Sequence, residues 1–165
     1  MSSTTTVTTE QRIKALAEHL AEHLAVPVED IEATKYQPGA DNAPPVQFEA
    51  MRGEYLVLTE AEADKMVEEK ILDDVWAFKP EFVVSHLKID LPAHRYDRFV
   101  KVIKKVQEDL CEDANDLLRP LLKDEKEFVE DAVSADGRGH FLSGYDGEDN
   151  DVRVDGVTLY VYRVN

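Results

Sequence analysis

The hydrophobic pattern of this chain changes period once, near residue 136, and that change limits the folds open to it. Before it, apolar residues recur at three- and four-residue spacing, the mark of amphipathic helices. After it, Gly137, Gly139, Gly144, Gly147 and Gly156, five of the chain's seven glycines, fall within 20 residues. Residues 141–142, 151–154 and 157–163 there look like strands, and Asp155-Gly156 is a two-residue hairpin signal between the last two. The pattern predicts an α+β fold of four or five helices packed against a small C-terminal antiparallel sheet. That sheet is expected to come largely from residues 141–163, and the helical core to gather around Trp76, Phe99, Ile103 and Leu117.

Two capping boxes mark helix starts, Thr8 with Gln11 and Thr59 with Glu62. The first opens a helix to about Leu24, with Ile13, Leu16, Ala17, Leu20 and Leu24 on one stripe. The second opens a helix to about Phe78 through Ala63, Met66, Val67, Ile71, Leu72, Val75 and Trp76. Between them, 27–36 reads as a turn with room for one helical turn around Val28, Ile31 and Ala33, 37–46 (QPGADNAPPV) as a loop, 47–50 as a weak strand and 55–58 as a short buried one. Pro80 suits the first position of a short helix. A long helix is expected over 93–110, with Tyr96, Phe99, Ile103, Val106 and Leu110 inward. A leucine-rich stretch bounded by Pro120 and a last helix over 125–135 follow. Residues 1–7 are Ser/Thr-rich and expected to fray. The remainder, 8–165, has the usual size of one domain.

The chain carries 35 acids against 19 lysines and arginines, a net charge of −16. The charge is uneven: residues 77–107 hold 7 bases and 3 acids, whereas 108–165 hold 16 acids and 6 bases. A field this negative disfavours bare nucleic acid and anionic membrane and favours a basic protein surface as partner. Cys111 is the only cysteine, so no intrachain disulfide forms, and flanking carboxylates make it a poor nucleophile, a partly buried or inert thiol. No apolar run reaches membrane-spanning length and the start lacks a secretory pattern, so a cytoplasmic location is expected. Oligomeric state is left open.

No cofactor or metal signature emerges. His19 and His23 are four apart on one helix, but A-E-H-L-A-E-H is not H-E-x-x-H and a third ligand is missing, so both read as surface histidines. Residues 146–151 (DGEDND) imitate a calcium loop. Asp151 stands where the EF-hand needs glycine and Val157 where it needs glutamate, so the match fails. The stretch 136–140 (DGRGH) is the most unusual. Its glycines allow a sharp turn or a close approach, and Asp136, Arg138, His140, Tyr145 and Asp146 are candidate partner or ligand contacts that together could also do acid–base work. The alternative is a tight connection in which Arg138 pairs with helix acids. Arg95, Arg98, Lys101, Lys104 and Lys105 form a basic helix face, read as internal charge balance. Glu127, Glu130 and Asp131 are candidate partner contacts on the last helix.

The stretches GEYLVLTEAEAD (53–64), DDVWAFKPEF (73–82), CEDANDLL (111–118), EDAVSADGRGHFLSGYDGEDN (130–150) and YVYRVN (160–165) make the chain resemble small acidic proteins of bacteriophages and related mobile elements. The resemblance implies a phage or host-directed setting and carries no activity over to any residue. Three functions compete. The first is an acidic protein-binding protein, a phage accessory factor or a nucleic-acid mimic that inhibits a host nucleic-acid-binding protein. The second is a small-ligand-binding or hydrolytic enzyme built on the Asp136–Asp146 region, and the third a phage structural component. A pocket lined by that region would favour the second. Arg138 bound to its own chain would favour the first.

Overall fold

The computed structural model of the chain describes residues 6–25, 27–30, 33–36, 44–51 and 53–165. Of the expected frayed start, residues 1–5 lie outside the described residues, and Val7 is buried. Of the expected loop, 37–43 likewise lie outside. The fold is α+β. Where length alone suggests one domain, the contacts gather into two compact units, one of residues 1–67 with 136–165 and the other of residues 68–135. No described helix is long and apolar enough to cross a membrane.

The first unit is a five-stranded antiparallel sheet in the order β1-β2-β3-β5-β4. Its strands are β1 (Ala33–Tyr36), β2 (Gln47–Ala50), β3 (Gly53–Leu58), β4 (Asn150–Val154) and β5 (Val157–Arg163). The expected origin of the sheet is therefore corrected: three of its five strands come from the first 58 residues, and β3 is joined to β5 through Val57↔Val161 and Leu56↔Tyr162. The helical turn expected within 27–36 is a 3-10 turn at Val28–Asp30, and β1 falls in the rest of that segment, where no strand was expected.

Helix α1 (Thr9–Leu24) covers one face of the sheet. Its start is the expected capping box, with Thr8 and Gln11 each accepting from the other's backbone N–H. Ala15, Leu16 and Leu20 pack with Phe48, Tyr55, Val57, Leu159 and Val161. Alternation along the strands makes this possible, since Leu159 and Val161 share a face that Tyr160 and Tyr162 do not. Arg12 sits on the same helix and is also buried, at 2% exposure. Its Nη1 donates to the Val57 carbonyl, and its two terminal nitrogens grip the Glu62 carboxylate at 2.8 Å each. Glu62 in turn accepts the Thr59 N–H at 2.8 Å and closes the second capping box, at the start of α2 (Glu60–Asp73).

The second unit is helical. It holds the end of α2, then α3 (Pro80–Ser85), α4 (Ala93–Leu110), α5 (Ala114–Leu118) and most of α6 (Glu125–Asp136). Asn115 ties α5 to the end of α2, donating to the Leu72 carbonyl and accepting from the Trp76 N–H. Phe78, Phe82, His86 and Phe128 form an aromatic cluster. Of the four residues expected at the core, Ile103 is buried, Trp76 and Phe99 are half-buried, and Leu117 is 53% exposed. Leu118 and Leu122 take the inward places instead, because Cys111 at positive φ ends α4 and rotates the following segment. Of the two alternatives for Cys111, partly buried or inert, burial is excluded, since the residue is exposed.

β4 and β5 are joined as expected. Val154 pairs with Val157, and Asp155 (φ 50°) and Gly156 (φ 83°) occupy the two turn positions. Both angles positive make a type I′ turn. Gly156→Val is expected to lower unfolding free energy by about 1 kcal/mol or more, since a β-branched residue fits positive φ poorly; an unchanged melting curve would count against the turn.

Glu62 supplies a pH dependence. Burial opposes its ionisation, but the Arg12 guanidinium and the Thr59 donors outweigh that and hold its carboxyl below the ordinary glutamate range. A depressed acid contributes stability that is present above its unfolded pKa of about 4.3 and is lost as pH falls through the folded value. The acid limb of a stability–pH profile is therefore expected to be flatter in Glu62→Gln than in the parent; parallel limbs would refute the pairing.

Candidate functional site

The stretch 136–149 folds onto itself. Gly137 at φ 81° leads into α7 (Arg138–Leu142), a five-residue helix where the sequence suggested a strand at 141–142. A Cβ on Gly139 would lie 2.3 Å from the Gly147 carbonyl oxygen and 2.4 Å from the Glu148 carbonyl carbon. Glycine is needed there because two backbone segments cross.

Arg138 is the centre of this fold-back. Its Nη1 donates to Asp64 at 2.8 Å, and its Nη2 and Nε donate to Asp149 Oδ2 at 3.1 and 3.3 Å. Its guanidinium lies 4.5 Å from the centroid of the Tyr160 ring. The Tyr162 hydroxyl donates to the other Asp149 oxygen. Burial and then Asp149 push the Tyr162 phenol up, so it stays a neutral donor. Ser143 is buried, with Oγ 2.6 Å from Asp146 Oδ1 and 2.9 Å from the Arg163 carbonyl. Burial opposes ionisation of Asp146, yet the Ser143 hydroxyl and the Glu148 N–H hold its carboxyl below the usual range. Tyr145 is exposed and stacks under Arg163. His140 is exposed with its ring edge-on to Phe141, and among the described residues no hydrogen bond joins it to Asp136, Tyr145 or Asp146. Asp136 is the exposed last residue of α6.

Thus Arg138 and Asp146, two of the five grouped by the sequence, are engaged in holding the chain. His140 and Tyr145 face outward separately. The expected pairing of Arg138 with a helix acid is met by Asp64 on α2, 74 residues away, whereas its other neighbours, Asp149, Tyr160 and Tyr162, were not legible. Asp146 and Asp149 likewise bind their own chain. Among the described residues no three His, Cys, Asp or Glu side chains come together to hold a metal ion. His19 is buried, not a surface residue; burial and then His23 depress its pKa. The two rings lie 4.1 Å apart, and His23 Nδ1 is 2.9 Å from the His19 carbonyl.

The helices of the second unit also carry exposed charge. On α6, Glu130 pairs with Lys126 at 3.3 Å, and Asp131 binds the buried His86 at 3.0 Å. Glu127 is exposed with no ion pair among the described residues. On α4, Lys104 and Lys105 pair with Glu108 and Asp109 one turn on, so internal balance describes those two. Arg95, Arg98 and Lys101 are exposed and make no ion pair among the described residues. Along α5 and the 3-10 turn after it, Leu117 (53% exposed) and Leu121 (44%) stand outward. Exposed Glu112, Asp113 and Asp116 lie beside them in the chain. Sequence spacing alone could not find this pair, because it does not say which two of four leucines turn inward.

No family model, curated protein or solved structure matches this chain.

Alanine ordinarily improves a helix interior by about 1 kcal/mol over glycine. At Gly139 the sign is expected to reverse: Gly139→Ala should cost about 1–3 kcal/mol, as overpacking does, read from the midpoint of denaturant unfolding. A gain in stability would mean that the segment does not close as described.

Proposed function

We propose that this chain is a protein-binding protein that docks a basic surface of another protein on an acid-rimmed apolar face. The observation that carries this is the exposure of Leu117 and Leu121, one helical turn apart, beside Glu112, Asp113 and Asp116. An apolar centre with a charged rim is the usual composition of a docking surface. The state of Arg138, bound to its own chain, supports the same reading over a site at 136–146. Glu127 and Glu130 extend the acidic surface, whereas Asp131 is needed by His86.

The partner class follows from the charge. Duplex DNA carries one charge per about 1.7 Å, so a net −16 equals roughly 27 Å of duplex. A host protein whose own ligand is nucleic acid offers the matching basic surface. This suits a phage or mobile-element accessory factor working in the host cytoplasm.

The test is capture from host lysate, followed by association rates of the captured protein at low and high salt. Glu112→Lys, Asp113→Lys and Asp116→Lys together are expected to slow association at least about tenfold at physiological ionic strength, where screening leaves a reach of about 8 Å. Reversal of Glu18 and Glu22 on α1 should leave it unchanged. A rate flat with salt and equal in all three proteins would make the acidic face a solvated surface only.

A further inference from the structure

We infer that the acid-rimmed leucine face at 112–121 is occupied, in the protein without its partner, by helix α4 of a second copy. The inference rests on the reading of that face as a docking surface, and it adds a resident occupant and therefore a means of regulation.

The argument begins with α4. At 100° per residue, Arg95, Arg98 and Val102 fall on one side of the helix, with Lys101 at its margin. Ile103, the one buried residue of the helix, is turned about 80° from Arg95, about 100° from Val102 and about 140° from Arg98. The outward side is therefore an apolar residue, Val102 at 54% exposure, among cations that no ion pair neutralises among the described residues. In a chain of net −16, an unneutralised cationic face is the exception. It is the complement of the other face in both respects, cations against Glu112, Asp113 and Asp116, and Val102 against Leu117 and Leu121.

Both faces belong to the same compact unit, residues 68–135, so each copy carries one of each. A two-fold pairing then makes the contact twice, α4 of each copy on the leucine face of the other. Two single-helix contacts lie at the small end of protein interfaces, below about 1,200 Å², so the pairing is weak and a stronger basic partner displaces it. Two bodies of −16 also repel at long range. Pairing is therefore best near physiological salt, where that repulsion is screened within about 8 Å and charges in contact are screened least.

The experiment is sedimentation equilibrium of the full chain at physiological salt over a wide concentration range. The parent is expected to rise from one chain mass toward two. Arg95→Glu with Arg98→Glu and Lys101→Glu should stay at one chain mass, as should Glu112→Lys with Asp113→Lys and Asp116→Lys. An equimolar mixture of the two variants should rise again, because each supplies the charge the other now needs. That recovery also shows that both variants are folded. A parent that stays at one chain mass, a reversed variant that pairs as the parent does, or a mixture that does not recover would each overturn the inference. A monomeric parent that still captures a basic partner through Glu112, Asp113 and Asp116 sinks the pairing and leaves the docking reading standing. Recovery in the mixture with no partner captured leaves the pairing and sinks the wider function.

Discussion

One buried guanidinium organises the sheet-bearing unit. Arg12 reaches from α1 to the carbonyl of Val57 on β3 and to the carboxylate that caps α2. One helix is thereby fixed at one point to a strand and a helix start that lie 45 and 50 residues further along the chain, and the helix start at Thr59 shares the same carboxylate. Losing one partner of a fully buried pair costs about 3–5 kcal/mol. The figure is smaller here, because the Glu62 side chain is 38% exposed. The arrangement is also incompletely satisfied, since Arg12 Nε is buried without a hydrogen-bond partner among the described residues. Its value lies more in fixing geometry than in energy. An apolar residue could fill the volume, but it could not hold Val57 and Glu62 at once.

What the sequence discloses here follows the range of the interactions. Local signals translate directly. Both capping boxes, the Pro80 helix start, the 93–110 helix and the Asp155-Gly156 turn depend on neighbours within four residues, and each is found in place. Features set by distant partners were hidden. Arg12 reads as a charged residue on a helix flank until β3 and Glu62 arrive beside it. The assignment of 141–142 to a strand failed because the contact that makes α7, the crossing of Gly139 with 147–148, has no periodicity. The leucines at 117–122 show the same limit: four apolar residues fit several helical faces, and the break at Cys111 selects one.

The charge distribution separates two uses of acids. Asp64, Asp146, Asp149 and Glu62 each accept hydrogen bonds from their own chain and act as internal fasteners. Those at Glu112, Asp113, Asp116 and Glu127 face water without a cation among the described residues. Acids of both kinds contribute equally to the total of −16. The total is therefore a poor guide to the binding surface, and the location of unneutralised side chains a better one. On the same criterion Arg95, Arg98 and Lys101 of α4, which make no ion pair among the described residues, stand out more than their number suggests.

The strand order carries a consequence for how the chain is made. β3 lies between β2 and β5, so its second hydrogen-bonding edge stays open until residues 157–163 leave the ribosome. The helices of residues 68–135 emerge in the meantime and can pack from local contacts. During that interval Leu56 and Val57 sit on an unpaired edge, the form of nascent chain that aggregates or recruits chaperones. Translation speed through residues 59–156 thus sets how long the edge is exposed. A pause there lengthens the exposure, and truncation before β5 leaves it permanent.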